Sequence, residues 1–539
     1  MYQHITPSKS PDDISIIPLQ PQSDSKPPDS LSEKSSLSFT SLPSSRYDTP
    51  LPEPPPDPVA TPATTGPGFS KLHEVAFIIN VCLAQFLSLA ALSQTVAPLP
   101  IIGNYFNVSD PGTLSWFTAA FSLTVGTFIL PSGRLGDMFG HKIVFMFGWG
   151  WLSVWSIVTG FSYSSGVIML SICRAVQGIG PALIVPNAMA LIGRTYPVGM
   201  KRSLILSCFG AAGPTGFVVG AAISSTFAQL IWWPWSFWAL AIISIFVLLI
   251  SSFILPSKDQ IASLAPASQG PPKPPAKFDY LGSFTGVSGL VLFNFALNQA
   301  PIAGWSAPYI LNMFYLGTIL LIAFVIVEFR FAQQPLIPLH GLQKEAWFTL
   351  VCIACGWGSH GIWIYYFYLF LENVRGHSAL LATAQIAPVA ISGAAFALST
   401  GYLLKKMNAA WVMFIAMFCF TAGTVLLATA PVGQTYWLQT FLSIIITPGG
   451  MNLSFPAGMI LLSNAMPREH QGIAASFVST IVNYSISCGL GLAATIVVEA
   501  SDHGTKALHD YQEALYFGIG LSGLGLIISV FFVWQSRNA

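Results

Sequence analysis

Beyond residue 75 the sequence is a succession of apolar stretches of about 20 residues, separated by short polar connections. A helix needs roughly that length to cross the hydrocarbon core of a bilayer, because each residue adds about 1.5 Å along its axis. The predicted spans are 75–102, 114–133, 143–161, 166–192, 203–229, 235–255, 281–299, 308–329, 347–371, 380–403, 410–430, 436–463, 472–498 and 514–534. The sequence therefore predicts an all-α integral membrane protein with about 14 transmembrane helices.

Charged residues are scarce, and two polar segments lie outside the apolar stretches. Asp, Glu, Lys and Arg make up 8% of the 539 residues, whereas soluble domains carry about 25%. Residues 1–70 are rich in Pro, Ser and Asp without an apolar period, which predicts a disordered cytosolic tail. Residues 256–280 are rich in Pro and Lys, which predicts a cytosolic linker. Because the net charge is +1 and no basic block is present, the expected partner is a lipid bilayer and not nucleic acid.

The distribution of Lys and Arg predicts the orientation of the chain. When the connections are assigned alternately to two sides, one side holds only Arg375 and Lys506. The other side holds Arg134, Lys142, Arg194, Lys201, Arg202, Lys258, Lys273, Lys277, Arg330, Lys344, Lys405, Lys406 and Arg468. Because positively charged short loops stay in the cytosol, both termini are expected there. We expect a monomer in the plasma membrane, with the vacuolar membrane as the alternative.

The sequence contains an internal repeat at an offset of 270 residues. Pro186-Asn-Ala-Met-Ala-Leu-Ile-Gly-Arg-Thr-Tyr-Pro197 aligns with Pro456-Ala-Gly-Met-Ile-Leu-Leu-Ser-Asn-Ala-Met-Pro467, and both prolines, the Met and the first Leu coincide. Each segment ends an apolar stretch in the corresponding place. This predicts two parallel six-helix bundles with two helices inserted between them, an arrangement associated with alternating-access carriers. The predicted boundaries are 71–255 for the first bundle, 281–346 for the inserted helices with their loop, and 347–539 for the second bundle.

Three motifs carry a resemblance to a known family. The turn Gly133-Arg-Leu-Gly-Asp-Met-Phe-Gly-His-Lys142 resembles the signature loop of the major facilitator superfamily. The runs Arg174-Ala-Val-Gln-Gly-Ile-Gly-Pro181 and Gly210-Ala-Ala-Gly-Pro-Thr-Gly216 resemble its fourth-helix and fifth-helix motifs. The residues that match are Gly133, Arg134, Gly136, Asp137, Gly140 and Lys142 in the loop, and Gly210, Gly213, Pro214 and Gly216 in the fifth helix.

With 14 spans the chain resembles the drug:proton antiporters of that superfamily, and within them the fungal aminotriazole-resistance and boron-efflux type. The resemblance implies efflux of small toxic compounds driven by a proton gradient, with no cofactor. Two positions depart from the group's pattern. Ser93 and Gln94 stand where a first-helix acidic residue is common, and Phe217 and Val218 replace the paired glycines that usually close the fifth-helix motif.

Four residues are candidates for transport and proton coupling: Arg174, His360, Asp137 and Glu372. A cation such as Arg174 within an apolar span is costly unless it faces a protein interior or a wet cavity. It either takes part in transport or bridges carbonyl and Gln groups. His360 either titrates or stays neutral between helices. Asp137, in the motif turn, could pair with Arg134 or with a helix end, and Glu372 falls at the outer mouth of its span.

Amide and aromatic side chains within the spans are the candidates for lining a substrate cavity. They are Gln94, Gln177, Asn187, Asn294, Asn298, Trp357, Tyr365, Asn452 and Asn483. Asn294 and Asn298 are four residues apart and share a helical face. The alternative interpretation is that such groups hold helices together by hydrogen bonds.

The sequence favours a secondary active transporter over other classes of protein. Export of small molecules is the leading hypothesis, and proton-coupled uptake of a siderophore or an amino acid is the alternative, because a fold does not fix direction. A membrane sensor is less favoured, since only a tail and short loops lie outside the spans. An enzyme is not expected, because the sequence has neither a P-loop nor an HExxH motif.

Overall fold

The computed structural model of the protein describes residues 70–196, 199–256, 278–332, 335–337, 342–466, 473–501 and 507–538. These residues belong to one compact unit, Thr65–Ala539. The predicted tail up to residue 69 and positions 257–277 of the predicted linker lie outside the described residues.

Within this part of the chain, fourteen helices are long and apolar enough to cross a membrane, which confirms the predicted number. They are α1 (Lys71–Val96), α2 (Pro111–Phe139), α3 (His141–Phe161), α4 (Val167–Thr195), α5 (Met200–Leu230), α6 (Trp235–Ile254), α7 (Tyr280–Ala303), α8 (Pro308–Arg330), α9 (Lys344–Leu369), α10 (Ala379–Lys406), α11 (Ala409–Ala428), α12 (Gln439–Asn464), α13 (Ala474–Ser501) and α14 (Ala507–Asn538).

The first predicted span is shorter than expected. The apolar stretch at 75–102 forms α1 only as far as Val96, and a separate short helix follows at Leu99–Tyr105. Pro98 stands between the two helices. A proline lacks the backbone N–H that a continuous helix needs and its ring collides with the preceding turn, so the apolar run divides there.

Two later spans also deviate from a plain α-helix. α10 consists of Ala379–Ile386 and Pro388–Lys406, and proline again begins the second segment. α9 continues into a π-helical turn, Phe370–Val374. Such turns are frequent at functional sites, because they change the direction of the side chains that follow.

Several helices begin next to a polar side chain that accepts hydrogen bonds from the free N–H groups of the first turn. These side chains are Ser70, Asp110, Asp279 and Asn408, before α1, α2, α7 and α11. Short side chains with an oxygen at this position satisfy donors that have no partner within the helix. The helix starts are therefore set locally by the sequence.

The helices form two six-helix bundles, α1–α6 and α9–α14, as predicted. The bundles meet along two seams, where α2 packs against α13 and α5 packs against α10. The inserted helices α7 and α8 pack against each other, and α7 also lies against α2 and α13. We call the side where α2 turns into α3, at Phe139–His141, the motif face, and the other side the opposite face.

The apolar core of the first bundle consists of two clusters that lie at different depths along the helices. Near the opposite face it contains Val96 and Phe117 and is continuous with the core of the second bundle, which includes Tyr365. Near the motif face it contains Phe77 and Trp149 and forms a separate cluster. The first bundle therefore contributes to the shared core mainly near the opposite face.

The spans differ in how much of their surface lies inside the protein. Most residues of α9 from Cys352 to Leu369 are buried, because other helices of the second bundle and α13 surround it. α8 is the least buried of the fourteen spans, and large apolar side chains such as Ile319 and Ile322 are exposed along it. An exposed apolar surface of this kind faces lipid in a membrane protein.

Candidate functional site

Arg174 of α4 is completely buried, and oxygen atoms from three helices hold its guanidinium. Its Nε donates to the carbonyl oxygen of Phe117 in α2 at 3.0 Å, and its Nη1 donates to that of Ala91 in α1 at 2.9 Å. Nη1 also donates to Oε1 of Gln177 at 2.7 Å, and the ring of Phe121 lies 4.4 Å from the guanidinium carbon. Carbonyl groups near the C-terminal end of α1 carry negative partial charge, which stabilises a cation. Arg174 thus joins α1, α2 and α4.

Two of the predicted cavity residues extend this network through the first bundle. Gln177 donates from Nε2 to the hydroxyl of Ser156 in α3 at 2.8 Å. Gln94 donates to the carbonyl oxygen of Ser236 in α6 at 2.6 Å. Both amides are buried and form hydrogen bonds between helices. This arrangement corresponds to the alternative interpretation, in which such side chains hold helices together.

The motif turn joins α2 to α3 at Gly140, whose φ of 102° lies in the left-handed region. Only glycine adopts that region without steric cost, so the sharp turn needs this residue. Lys142 then reaches back to α6, where its Nζ donates to the carbonyl oxygens of Ser252 at 3.1 Å and Leu255 at 2.6 Å. A cation at the carbonyl end of a helix is favourable, so Lys142 caps α6.

Asp137 connects the motif turn to the end of α4. Its Oδ1 accepts from Nη2 of Arg194 at 3.0 Å and lies 3.4 Å from Nε2 of His141. The His141 Nδ1 atom is 2.7 Å from Oδ1 of Asn187, a predicted cavity residue that is fully buried. The sequence offered Arg134 or a helix end as a partner. The bonded partner Arg194 lies in the last turn of α4, and Arg134 also attracts the carboxylate electrostatically. Gly136 lies where Asn187 and His141 leave no room for a side chain.

The other motif residues face the second bundle and the inserted helices. A Cβ at Gly133 would lie 3.2 Å from the hydroxyl oxygen of Ser476 in α13. Arg134 attracts the carboxylate of Glu328 in α8 electrostatically. Glu328 is 2% exposed and also accepts from the backbone N–H of Ile337 at 3.3 Å. The motif turn therefore lies where all three parts of the fold come close.

The fifth-helix motif produces a close approach between helices. A Cβ at Gly216 would lie 2.7 Å from Cα of Phe86, so α1 and α5 touch backbone to backbone there. Gly213 lies beside the Gln85 side chain, with 3.3 Å between its ideal Cβ and Nε2. Pro214 faces α10, where a Cβ at Gly393 would lie 2.9 Å from its ring.

The polar contacts that the structure describes between α5 and α10 lie near the opposite face. The Ser225 hydroxyl lies 3.1 Å from the Thr383 hydroxyl, and the Leu380 N–H donates to the Gln229 side chain at 3.2 Å. Further along, a Cβ at Gly210 or at Gly401 would meet nothing within 4 Å. By contrast α2 and α13 remain in contact from Ala119 to Gly133.

His360 lies in an aromatic enclosure at the middle of α9. Its ring centre is 5.6 Å from those of Trp357 and Trp363 and 5.9 Å from that of Phe420. Trp363 is fixed by donating to Ser443 at 2.8 Å. Among the described residues, Nδ1 of His360 has no hydrogen-bond partner, although the side chain is only 7% exposed. A buried imidazole with an unused polar atom is suited to bind a ligand or a proton.

Glu372 lies in the π-helical turn that follows α9. Its Oε1 atom is buried, and within the described part of the chain it has no hydrogen-bond partner. About two turns earlier, the Tyr365 hydroxyl donates across the two bundles to the carbonyl oxygen of Pro111 at 3.3 Å. Glu372 thus lies close to the contact that closes the opposite face.

Asn294 and Asn298 of α7 bind α13. The Ser487 hydroxyl lies 2.8 Å from Oδ1 of Asn294, and Nδ2 of Asn298 donates to the Ser487 carbonyl oxygen at 3.3 Å. Nδ2 of Asn294 lies 3.2 Å from Sγ of Cys488. Both asparagines are fully buried, so they join α7 to the second bundle.

Three predicted cavity residues stay partly exposed. They are Trp357, Asn452 and Asn483. Trp357 donates to Ser454 at 3.0 Å, and each asparagine donates to a carbonyl oxygen of its own helix. Gln85 is partly exposed as well, which makes it a fourth candidate for contact with a substrate.

The fold and its motifs agree with known proteins. The profile of the Major Facilitator Superfamily matches residues 81–492 and 394–538. The chain belongs to this superfamily. It is 49% identical to the low affinity ammonium transporter of Saccharomyces cerevisiae, with 87% of this chain and 90% of the relative covered. It is 44% identical to the efflux pump terJ of Aspergillus terreus, over 85% of this chain and 88% of that pump.

A further relative and a solved structure extend this comparison. The aminotriazole resistance protein of Saccharomyces cerevisiae is 35% identical over 86% of this chain and 84% of its own length. The predicted resemblance to fungal efflux transporters is thereby confirmed. A POT family transporter in complex with a thioalcohol conjugated peptide superposes with a TM-score of 0.63 at 14% identity, covering 88% of this chain and 99% of that one. At this identity the superposition shows the fold alone. The chain is a multi-pass membrane transporter.

Proposed function

We propose that this transporter exports a small molecule from the cytosol by alternating access, with protons moving in the other direction. The observation that carries the proposal is the unequal closure of the α5–α10 seam. Contacts such as Ser225 with Thr383 close it at the opposite face, whereas a Cβ added at Gly210 or Gly401, towards the motif face, would meet no atom within 4 Å. Two bundles that pack together mainly on one side can rock so that the other side closes and the first side opens.

The motif face is assigned to the cytosol in this proposal. The Lys and Arg residues of short connections, including Lys142, Arg194 and Lys201, lie on this face. The structure then corresponds to a state that is open to the cytosol and closed to the outside. A carrier in this state loads its cargo from the cytosol, as an exporter in the plasma membrane must.

The relatives support export as the direction of transport. Two of them are named an efflux pump and an aminotriazole resistance protein. The partly exposed groups Trp357, Asn452, Asn483 and Gln85, with His360 beyond them, combine aromatic faces with amide donors and acceptors. Such a lining suits a small, planar, uncharged molecule with polar nitrogen or oxygen atoms.

Glu372 is the proposed coupling group. Oε1 of Glu372 is buried and has no hydrogen-bond partner among the described residues, which disfavours the ionised carboxylate, so Glu372 is protonated while the opposite face is closed. When that face opens to water, the ionised carboxylate can take up a proton from the outside before the face closes again. Protonation from an acidic exterior therefore favours closure. Antiport then requires that the proton leave towards the motif face before the next opening, and His360 lies on that side of Glu372 in α9.

Arg174 has a positioning role in the same mechanism. It binds carbonyl groups of α1 and α2 at the level where the shared core begins. Because its hydrogen-bond partners are backbone carbonyl groups and the Gln177 amide, it fixes the helices relative to one another instead of neutralising an acid. We propose that this keeps α1, α2 and α4 rigid while the bundles rock.

Uptake of ammonium is the second candidate function. The relative named a low affinity ammonium transporter is 49% identical to this chain. The aromatic enclosure around His360 is compatible with a cation, since rings such as Trp357 and Trp363 attract positive charge. Export and uptake predict opposite responses to the proton gradient.

The full-length protein in sealed proteoliposomes tests the two candidates. Radiolabelled aminotriazole and methylammonium are the probes, and the pH difference across the membrane is imposed in either direction. Export by antiport predicts that aminotriazole accumulates on the acidic side and that collapsing the gradient abolishes the accumulation. Gradient-driven accumulation of methylammonium alone would instead support the second candidate.

Matched variants separate coupling from binding. Glu372→Gln should abolish gradient-driven accumulation and leave exchange of labelled for unlabelled probe intact, because its side chain cannot ionise. Glu345→Gln, at the other end of α9, is the control and should behave like the unaltered protein. Gradient-driven accumulation in the Glu372→Gln protein would remove Glu372 from the mechanism.

A further inference from the structure

The Ser487 hydroxyl of α13 has one proton and two acceptors within reach. Its Oγ lies 2.9 Å from the carbonyl oxygen of Ala119 in α2 and 2.8 Å from Oδ1 of Asn294 in α7. A serine hydroxyl donates only one hydrogen bond at a time. The first bond crosses the seam between the bundles, whereas the second joins α13 to the inserted helix.

The contacts of α7 with its two neighbours differ in kind. Towards α13 they are polar: besides Asn294, Asn298 donates to the Ser487 carbonyl oxygen, and the Tyr484 hydroxyl donates to the Leu290 carbonyl oxygen at 3.0 Å. Polar bonds of this sort fix position and register within a membrane.

Towards α2 the contacts of α7 are made by apolar groups. The rings of Trp116 and Phe295 lie 5.5 Å apart, and the side chain of Ile302 lies beside Gly112. Apolar contacts are not directional and allow one helix to shift along another. Arg134 at the motif face also attracts Glu328 of α8 electrostatically.

From these contacts we infer that α7 moves with the second bundle. We also infer that α7 takes the place of α2 as a hydrogen-bond partner of α13 when the bundles separate. When the opposite face opens, Ala119 moves away from Ser487. The Ser487 hydroxyl then donates its hydrogen bond to Oδ1 of Asn294 instead, so this hydroxyl is not left without a partner in the membrane. Asn294 is a positioning residue that lowers the free-energy cost of opening. This inference rests on the proposed alternating access.

Distances between spin labels on three motif-face positions test which bundle α7 follows. The positions are Phe139 on α2, Tyr280 on α7 and Trp534 on α14, which are 54%, 75% and 60% exposed. Each pair is replaced by Cys in the full-length, reconstituted protein. A Cys208→Ser background removes the exposed native cysteine. Ser225→Trp holds the opposite face open, because an indole does not fit against Thr383, and Ala382→Trp is a second variant with the same purpose.

The expected result is a changed distance for Phe139–Trp534 and for Phe139–Tyr280, with Tyr280–Trp534 unchanged. A changed Tyr280–Trp534 distance with constant Phe139–Tyr280 would overturn the inference while leaving alternating access in place. A constant Phe139–Trp534 distance in both Trp variants would contradict the proposed function, and the inference with it.

Removing one acceptor tests the role of Asn294. In Asn294→Leu the Ser487 hydroxyl can donate only to the Ala119 carbonyl oxygen. The state that is closed at the opposite face should therefore become roughly three- to ten-fold more populated relative to the open state, which is the range that one hydrogen bond contributes. Adding Ser487→Ala should abolish this shift, and adding Ser487→Thr should retain it. An equal shift in the Asn294→Leu, Ser487→Ala protein would show a merely structural effect and overturn the inference.

Discussion

The guanidinium of Arg174 donates a hydrogen bond to the carbonyl oxygen of Ala91, 2.9 Å away near the end of α1. This contact places a buried cation against the negative end of a helix. The bond from Nε to Phe117 ties the same group to α2. A fully buried charge is therefore stabilised by backbone carbonyls, through the charge-assisted hydrogen bonds that a guanidinium forms well.

Replacement of Arg174 should abolish transport while the protein still reaches the membrane. Arg174→Ala removes the bonds to the carbonyl oxygens of α1 and α2 and takes the guanidinium donor from Oε1 of Gln177, and a buried group left unsatisfied costs about 1–3 kcal/mol. Arg174→Lys keeps the positive charge but lacks the several planar N–H donors of the guanidinium, so this variant should retain only part of the activity. Probe exchange in proteoliposomes measures the effect, and Gln177→Ala is the milder control. Normal exchange by Arg174→Ala would exclude a role for this residue.

Asp137→Asn should reduce transport about ten-fold with little loss of thermal stability. The pair with Arg194 is about half exposed, and ion pairs of that kind contribute about 0–1 kcal/mol to folding. Its effect on transport comes from the link between the motif turn and α4. Glu74→Gln is the matched control, because it breaks another ion pair on the motif face, with Lys201. An equal loss of transport in both variants would contradict a specific role for the link between Asp137 and Arg194.

Gly216→Ala should destabilise the protein, and Gly210→Ala should not. The added Cβ at Gly216 would lie 2.7 Å from Cα of Phe86, and backbone atoms cannot move aside as a flexible side chain can. Overpacking of this kind costs about 1–3 kcal/mol. At Gly210 the same group meets nothing within 4 Å. Thermal unfolding of the two purified variants makes the comparison, and equal melting temperatures would contradict the close approach of α1 and α5.

Acidification outside should favour closure of the opposite face through Glu372. The carboxyl group is neutral when buried and ionises only when water reaches it, so lowering the external pH stabilises the closed state. In Glu372→Gln the distribution between the two states should no longer depend on external pH. Accessibility of a cysteine at Thr383, measured against pH with an impermeant thiol reagent, reports the closure. A pH response as large in the variant as in the unaltered protein would contradict this role.

Much of the fold could be predicted from the sequence, because apolar runs of bilayer length are an unambiguous signal. The division at Pro98 was missed, since the apolar run itself continues to residue 102. The motifs indicated the turn at Gly140 and the close packing at Gly216. Gly140 has a φ that favours glycine, and at Gly216 a side chain would collide with the backbone of Phe86.

The partners of polar side chains were much harder to predict. Asn294 and Ser487 lie 193 positions apart, and nothing in either segment indicates that they meet. Arg174 stood out as a lone cation, but its carbonyl partners have no sequence signal, since every residue carries a carbonyl group. Ser487 and Tyr484 were not predicted at all, because hydroxyl groups are common in membrane helices.

The enclosure of α9 has a consequence for how the chain is made. Of the fourteen spans it is the least apolar, and it is one of the most deeply surrounded. A nascent segment carrying His360 and several glycines partitions poorly into lipid on its own as it leaves the ribosome. Its insertion should therefore depend on the helices synthesised just before and after it, which makes α9 the step at which biogenesis of this protein is most easily disturbed.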